Sequence, residues 1–393
     1  MPNLNLTILL DYHRGTRLND KNNENSSSKS LLLPLVQNHD ASISFYLTPK
    51  MSGWRKHLIH PRDKWNELAS LHHIKCYIFD NDIIISGANL SDLYFTNRQD
   101  RYILFRNCKS LCDYFDQLIK TICTFSMKLN SNGNFQLDST WKYDPLNYWT
   151  KRQFCKEASR RIIEFKKSFY HNKNKLCDLN DNEKRFDTFA IPLLQMKTFS
   201  IDDDEKFTSN FLMSIPLSSK VKLATGYFNL TKKYKDILLL RKFENNCDIL
   251  MASEQANGFY GAKGLPGQIP FVYTDLTLNF FKQSKLMGSS ISLYYYLREN
   301  WTFHAKGLWL SLTSNNSNYY FTMIGSPNFG FRSIYRDNEA QLLLFTNDNQ
   351  LKCKLENECV HLWKHSYLIT DENQFMHVSF WVKLIARLFK SYY

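Results

Sequence analysis

The stretch that decides the fold is LHHIKCYIFDNDIIISGANLSD, at residues Leu71–Asp92. His73, Lys75 and Asp80 form an H-x-K-x-x-x-x-D pattern, and an apolar run and a G-x-x-N turn ending at Asn89 follow it. Alternate residues of a strand point to the same side, so the imidazole of His73 and the ammonium of Lys75 converge on one point. A single histidine is most often structural, so the rest of the chain decides what this pattern means.

A second copy of the pattern lies near the end of the chain. WTFHAKGLWLSL places His304 and Lys306 at the same spacing, and GSPNFG follows with Ser326 and Asn328. Ser311 stands where the second copy would have its aspartate. Two copies, each with the same kind of turn behind it, are hard to reach by chance, and they indicate an internal repeat.

The repeat predicts the architecture. Each copy ends in an arginine followed by a carboxylate, Asp100 in the first and Glu339 in the second. We expect an α/β fold of two pseudo-symmetric halves, each a mixed sheet flanked by helices, with the active site at their interface. The predicted parts are a first half over 1–150, a basic helical linker over 151–185 and a second half over 186–393. The strand and turn VKLATGYFNLT precede only the second copy, so the first half is expected to lack its opening strand.

The composition indicates an anionic partner. The chain has 393 residues and a formal net charge of +13, which fits nucleic acid, an anionic membrane surface or a phosphorylated substrate. Its nine cysteines form no C-x-x-C pair, which argues against a disulfide framework or a zinc site. No apolar run is long enough to span a bilayer, and no signal or transit segment is visible before the first strand.

Two imidazoles and two ammoniums facing each other suit a phosphodiester better than a metal ion, because lysines repel a cation. One imidazole would attack phosphorus and form a phosphohistidine, and the other would protonate the leaving oxygen. The lysines and the amides of Asn89 and Asn328 would hold the non-bridging oxygens. Asp100 and Glu339 are the candidates to orient the imidazoles. The symmetry of the repeat leaves open which histidine is the nucleophile.

At these residues the sequence resembles the phospholipase D superfamily, whose members carry two half-sites of the H-x-K type. Longer strings resemble one branch, the eukaryotic CDP-diacylglycerol–glycerol-3-phosphate 3-phosphatidyltransferases; they are LLDYHRGTR, SGANLSDLYFTNRQDRY, GYFNLT, ASEQANGFYGAKG, WTFHAKGLW and GSPNFGFRS. The resemblance covers nearly the whole chain in order. It implies transfer of a phosphatidyl group from CDP-diacylglycerol to sn-glycerol 3-phosphate, the first step toward phosphatidylglycerol and cardiolipin. It also implies association with the mitochondrial inner membrane and no cofactor.

The resemblance also implies the site. Carried over by motif, the first half-site comprises His73, Lys75, Asp80 and Asn89, and the second comprises His304, Lys306 and Asn328 with Glu339 in support. It favours His73 as the nucleophile and His304 as the general acid and base. Asp100 and Ser326 are expected at the substrate.

Three further features each have two interpretations. Lys263, in the glycine-rich NGFYGAKGLPG, could cradle a phosphate or belong to an ordinary loop. Arg14 could steer the phosphate of glycerol 3-phosphate or pair with nearby acids. The C-terminal FWVKLIARLFKSYY predicts an amphipathic helix that either packs on the core or lies on a membrane surface.

Competing functions share this chemistry. Serine or water as acceptor would give a phosphatidylserine synthase or a phospholipase D-type hydrolase. A nucleic-acid phosphodiesterase would show salt-sensitive binding and need a groove of stacking aromatics, which we cannot assign, so no nucleic-acid partner is expected. A non-catalytic relative would bind lipid or a partner without forming a covalent intermediate.

Overall fold

The computed structural model describes residues 4–18, 23, 26–53, 67, 69–180, 186–244, 247–314 and 317–389. The fold is a mixed α/β arrangement, which confirms the predicted class. Part of the predicted linker, 181–185, and the last residues of the C-terminal segment, 390–393, lie outside the described residues.

The first half holds two small sheets. Its strands are β1 (Thr7–Asp11), β2 (Ser42–Tyr46), β3 (Cys76–Phe79), β4 (Asp82–Ser86), β5 (Arg98–Gln99), β6 (Tyr102–Phe105), β7 (Met127–Leu129) and β8 (Phe135–Leu137). Its helices are α1 (Tyr12–Thr16), α2 (Ser28–His39), α3 (Asp92–Thr96) and α4 (Lys109–Cys123), and α5 (Lys151–Asn180) follows them. One sheet has the order β1-β2-β7-β8 and the other β3-β4-β6.

The second half is built on one nine-stranded sheet with the order β10-β9-β17-β16-β15-β11-β12-β13-β18. Its strands are β9 (Thr188–Met196), β10 (Ile201–Asp202), β11 (Lys220–Thr225), β12 (Cys247–Ala252), β13 (Ile291–Tyr296), β14 (Thr302–Phe303), β15 (Gly307–Ser314), β16 (Ser317–Gly325), β17 (Glu339–Thr346) and β18 (Ser366–Leu368). Its helices are α6 (Asp203–Ser214), α7 (Lys232–Leu240), α8 (Ile269–Leu286), α9 (Phe331–Tyr335), α10 (Asn349–Trp363) and α11 (Phe380–Phe389).

The two halves repeat one strand pattern. The antiparallel meander β3-β4-β6 corresponds to β15-β16-β17, since each begins just after an H-x-K pattern. The parallel pair β1-β2, extended by antiparallel β7, corresponds to β12-β13-β18. In the second half, β11 joins the two groups by pairing with both β12 and β15. Among the described residues of the first half no strand takes that place, and the two groups stay separate sheets.

The two halves share a hydrophobic core cluster. Alternation in β4 buries Ile83 and Ile85, and they share a core cluster with Ile324 of β16 and Leu342 of β17. Two backbone links cross the same boundary: β5 pairs in parallel with β14, and His72 bridges to Asn338. These links set the ends of the two H-x-K segments against each other.

Helix α4 buries one face, with Leu111, Phe115, Leu118 and Ile122 all buried. The C-terminal helix α11 packs on the core along one side, as one of its two predicted interpretations requires. Val382 packs in a small cluster with residues of α8, while Phe380 and Trp381 are 72% and 71% exposed. Among the residues with described placement, no helix is both long enough and apolar enough to cross a membrane.

Candidate active site

His73 is held by residues of the second half. Its backbone N–H donates to the carbonyl of Asn338 at 2.8 Å. Its Nδ1 lies 2.9 Å from Oε2 of Glu339, the first residue of β17. A neutral imidazole that donates its Nδ1–H to this carboxylate keeps its Nε2 lone pair available. The contact therefore fixes both the ring orientation and the tautomer that a nucleophile requires.

His304 is held in the mirrored way by residues of the first half. Its backbone N–H donates to the carbonyl of Gln99 at 2.8 Å, and its Nδ1 lies 2.7 Å from Oδ2 of Asp100. Each imidazole is thus oriented by a carboxylate from the opposite half. Asp100 and Glu339, predicted to be orienting carboxylates, occupy positions that suit that role.

Both lysines are buried beside their histidines. Lys75 and Lys306 are 9% and 1% exposed, and each ammonium donates to the backbone carbonyl of the histidine two residues before it, at 2.7 and 2.6 Å. Lys306 Nζ also lies 2.7 Å from Nδ1 of His304. Among the ion pairs formed by described residues, none involves either lysine. The carboxylates nearest in charge effect are Glu339 for Lys75 and Asp100 for Lys306.

The glycine turn of the first half packs on the lysine of the second. A Cβ placed on Gly87 would lie 2.5 Å from Cδ of Lys306, 3.0 Å from the carbonyl oxygen of Gly325 and 3.2 Å from Oδ1 of Asp100. Both G-x-x-N turns, which start at Gly87 and Gly325, therefore meet at Lys306. This contact places the residues of the two half-sites around one centre.

Burial sets the protonation of the histidines. Burial and, after it, the charge of Lys306 lower the pKa of His304 to about 3, against the opposing effect of Asp100. Burial and the charge of Lys75 likewise hold the pKa of His73 well below its ordinary value. Both imidazoles are therefore neutral in the empty site at neutral pH.

The other charged groups are perturbed in ways that favour anion binding. Burial lowers the pKa of Lys306 to about 8 and that of Lys75 well below its ordinary value. Burial raises the pKa of Glu339 to about 7, although the charge of Lys75 opposes the rise. Burial also acts to raise the pKa of Asp100, but the charge of Lys306 and the hydrogen bonds from His304 and from the backbone of Arg101 outweigh it, and the net shift is downward. A phosphate placed here would restore the protonated state of the lysines.

Asn89 and Arg14 lie together at the edge of the site. The amide nitrogen of Asn89 donates to the hydroxyl of Tyr94 at 2.8 Å, and its oxygen is 3.4 Å from Nη1 of Arg14. Arg14 Nε also forms an ion pair with Glu67 at 3.1 Å, and Arg17 contacts the same carboxylate. Of the two interpretations for Arg14, pairing with an acid is the one found here.

In the G-x-x-N turn of the second half, most polar groups form hydrogen bonds within the protein. Ser326 is fully buried and its hydroxyl contacts the backbone of Ala340. The backbone of Asn328 is tied by the hydroxyls of Ser333 and Thr225. The side-chain oxygen of Asn328 is buried without a hydrogen-bond partner, and an anionic ligand would be bound by the amide nitrogen of this side chain.

Two of the predicted site residues have no contact with the histidines. Asp80 lies exposed in the hairpin turn between β3 and β4, with a positive φ of 53°. The strand carries it away from Lys75, because successive residues advance about 3.3 Å along a strand. We therefore leave Asp80 out of the proposed catalytic set. Lys263 is exposed in the glycine-rich loop, and no contact found among the described residues connects it with either imidazole.

Three site residues were not predicted. The rings of Tyr94 and Tyr227 stand edge-on to His304, with centroids 5.2 and 5.6 Å away. Arg98 lies over Tyr94, with its Cζ 4.9 Å from the ring centroid. The sequence shows the G-Y-F-N turn only as a segment that precedes the second copy, and its glycine explains the contact with His304. A Cβ on Gly226 would lie 3.0 Å from Cα of His304, so only glycine admits this approach.

Comparison with known proteins identifies relatives that align with this chain over its full length. The mitochondrial CDP-diacylglycerol–glycerol-3-phosphate 3-phosphatidyltransferase of Homo sapiens is 37% identical over 418 residues, covering 100% of this chain and 72% of that protein. The Gallus gallus protein of the same name is 37% identical over 419 residues, covering 100% and 73%. The crystal structure of phosphatidylserine synthase from Haemophilus influenzae matches with a TM-score of 0.66 and 17% identity, covering 99% of this chain and 81% of that one. No family model matches the sequence.

Proposed function

The chain belongs to the CDP-diacylglycerol–glycerol-3-phosphate 3-phosphatidyltransferase family, and on that premise we propose that it transfers a phosphatidyl group from CDP-diacylglycerol to sn-glycerol 3-phosphate and releases CMP. The observation that carries the proposal is the crossed arrangement of the site. The Nδ1 atoms of His73 and His304 face Glu339 and Asp100 of the opposite half, at 2.9 and 2.7 Å. Because the carboxylates engage only the Nδ1 atoms, the Nε2 atoms remain for chemistry at a phosphorus atom. That of His304 lies 3.2 Å from Nζ of Lys306, which a bound phosphate would draw away.

We propose two displacement steps. In the first, Nε2 of His73 attacks the phosphatidyl phosphorus, and the bond from phosphorus to the CMP oxygen breaks with a proton supplied by His304. In the second, His304 takes the proton of the glycerol 3-phosphate hydroxyl as that oxygen attacks phosphorus and the N–P bond breaks. Lys75, Lys306 and the amide of Asn328 would carry the charge that builds on the non-bridging oxygens.

The neutral resting state fits these roles. A neutral His73 has the lone pair that a nucleophile needs. His304 starts neutral as well, and the anionic phosphates of the donor would raise its pKa by charge attraction, so that it becomes the acid when substrate is bound. The two titrations are therefore expected to be coupled through the substrate.

The direct test is turnover in detergent micelles. Wild-type protein with CDP-diacylglycerol and glycerol 3-phosphate is expected to form phosphatidylglycerophosphate and CMP in equal amounts. Serine, water and a short single-stranded DNA serve as competing substrates in parallel reactions. A product with serine or water but none with glycerol 3-phosphate would refute the proposed acceptor, and salt-sensitive cleavage of the DNA would refute the lipid substrate.

The site is expected to operate at a membrane surface in the mitochondrion, against the inner membrane. Helix α3 supports a specific contact. Its Tyr94 is 7% exposed and faces His304, while Leu90, Leu93 and Phe95 around it are 74%, 46% and 65% exposed. A diacyl substrate needs its reacting phosphorus within reach of the bilayer. We propose that these three apolar side chains enter the interface, helped by the net charge of +13 at an anionic surface.

Vesicle flotation tests this contact. Replacing Leu90, Leu93 and Phe95 together by serine is expected to weaken binding to cardiolipin-containing vesicles while leaving turnover of micellar substrate within about twofold. Leu286→Ser, at a position 90% exposed on α8, is the matched control. If replacing Phe380 and Trp381 abolishes binding and the triple variant does not, the membrane contact belongs to α11 instead.

A further inference from the structure

Arg98 is a cationic side chain beside the site that the two-step chemistry leaves without a role. It lies on β5, and its Nε donates to the hydroxyl of Thr302 at 2.9 Å. Its guanidinium lies over the Tyr94 ring, with Cζ 4.9 Å from the centroid. These two contacts hold the plane of the guanidinium beside the site.

The charge of Arg98 has no carboxylate partner within the part of the chain that the structure describes. Other arginines around the site do have one: Arg14 pairs with Glu67, Arg101 with Glu358 and Arg332 with Asp337. A half-buried guanidinium without a counter-ion is costly to maintain unless a ligand supplies the negative charge. Its planar set of N–H groups matches the oxygens of a phosphate.

The position of Arg98 puts that ligand on one side of the reaction centre. Tyr94 and Tyr227 both stand edge-on to His304. A Cβ placed on Gly258 would lie 2.9 Å from Nη2 of Arg98 and 3.7 Å from the hydroxyl of Tyr227, so these two polar groups converge at Gly258. Glycine at this position lets the guanidinium pack this closely on the backbone. The ring of Tyr227 links this point to His304, the proposed acid and base.

We propose that Arg98 and Tyr227 form a phosphate-monoester subsite on the His304 side of the reaction centre, occupied first by the phosphate of departing CMP and then by the phosphate of glycerol 3-phosphate. The inference rests on the proposed function. If His304 protonates the leaving oxygen and later deprotonates the incoming hydroxyl, both groups pass on the same side of phosphorus. Both carry a phosphate monoester, so one cation can serve each in turn. The subsite thereby selects glycerol 3-phosphate over acceptors that lack a phosphate.

The experiment compares Arg98→Gln and Arg98→Lys with wild type in detergent micelles. We measure the KM for glycerol 3-phosphate, the inhibition constant of CMP and the ratio of transfer to glycerol 3-phosphate over glycerol. Charge-assisted hydrogen bonds contribute about 1.5–3 kcal/mol, so Arg98→Gln is expected to raise the KM and the CMP inhibition constant by about 10- to 150-fold. The preference for glycerol 3-phosphate over glycerol is expected to fall by a similar factor, and Arg98→Lys to recover part of it.

Controls separate the subsite from a structural effect. Arg161 also lies over an aromatic ring, Trp141, with its Cζ 4.9 Å from the centroid, but it is on α5 away from the histidines. Arg161→Gln is expected to change none of the three readouts. Arg98→Gln is expected to keep the circular dichroism spectrum and the melting temperature of the wild type, which shows that the variant is folded.

The outcomes are distinguishable. Wild-type protein that makes no phosphatidylglycerophosphate refutes the proposed function itself. Wild-type transfer with an unchanged KM for glycerol 3-phosphate in Arg98→Gln overturns the subsite. A raised KM with an unchanged CMP inhibition constant overturns its use by both phosphates.

Discussion

Glu339→Gln tests whether the carboxylate opposite His73 takes part in forming the phosphohistidine. The wild-type carboxylate accepts from Nδ1 at 2.9 Å. As His73 bonds to phosphorus its ring gains positive charge, and Glu339 stabilises that charge. A hydrogen bond to a charged group contributes about 1.5–3 kcal/mol, so its loss is expected to slow CMP release by about 10- to 150-fold. Glutamine keeps the size and can still accept, so the fold should persist.

The pH profile makes this prediction specific. Burial raises the pKa of Glu339 to about 7, so the carboxylate is ionised only above that pH. Burial lowers the pKa of Lys306 to about 8, so its charge is lost above that pH. For wild type we expect kcat/KM for CDP-diacylglycerol to rise with pH up to about 7 and to fall above about 8. Glu339→Gln is expected to remove the rising part and keep the falling one.

Asp100→Asn is the matched control, because it changes the mirrored carboxylate. The pKa of Asp100 is lowered, so this group is ionised throughout the measured range. Asp100→Asn is therefore expected to slow the reaction while keeping the rise toward pH 7. The assay is CMP release from CDP-diacylglycerol in mixed micelles between pH 5.5 and 9. An unchanged rising limb in Glu339→Gln would refute the assignment of that limb to Glu339.

The remaining predictions concern the nucleophile, the metal question and two packing contacts. Acid quenching with donor labelled in the phosphatidyl phosphate is expected to trap label on His304→Ala protein but not on His73→Ala; the reverse pattern would exchange the two roles. Chelation by EDTA is expected to leave micellar turnover within about twofold, since two lysines occupy the place a cation would need; loss of activity restored by one divalent metal would contradict this. Gly87→Ala is expected to lower kcat by up to about 100-fold with little change in melting temperature, because the new Cβ would displace Lys306, whose Cδ lies 2.5 Å from its position; wild-type kcat would contradict the packing. Arg101→Met is expected to lower the free energy of unfolding in urea by about 3 kcal/mol, because it leaves Glu358 without its partner; a loss below about 1 kcal/mol would show that this contact is dispensable.

The sequence was enough to find the repeat and to nominate the histidines and lysines of the proposed site, because these depend on local spacing. His73 with Lys75, and His304 with Lys306, lie two residues apart at the start of strands, and strand alternation alone directs each pair to one side. The glycine turn behind them follows from the same local rules. Residue types were also sufficient to nominate Asp100 and Glu339, since a buried imidazole needs an acceptor.

The sequence could not predict what depends on the packing of one half on the other. Nothing in the spacing shows that Glu339 faces His73 while Asp100 faces His304. Asp80 was included because it completes a motif, but a hairpin turn at that position directs it to solvent. Arg98 was visible only as part of a repeated segment. Its role depends on Thr302 and Gly258, which lie about 200 and 160 residues further along the chain.

The crossed carboxylates make the site a property of the whole fold. If the halves separated, each would keep a histidine without its acceptor and a buried carboxylate without its donor, and both are costly in a low-dielectric interior. Arg101 adds to this coupling: it is 2% exposed and donates to the carbonyls of Lys306 and Met323 in the other half, at 3.3 and 2.7 Å. The contacts that orient the imidazoles are thus among those that hold the halves together. A change in how the halves meet must therefore appear both as lost stability and as lost alignment of the two histidines.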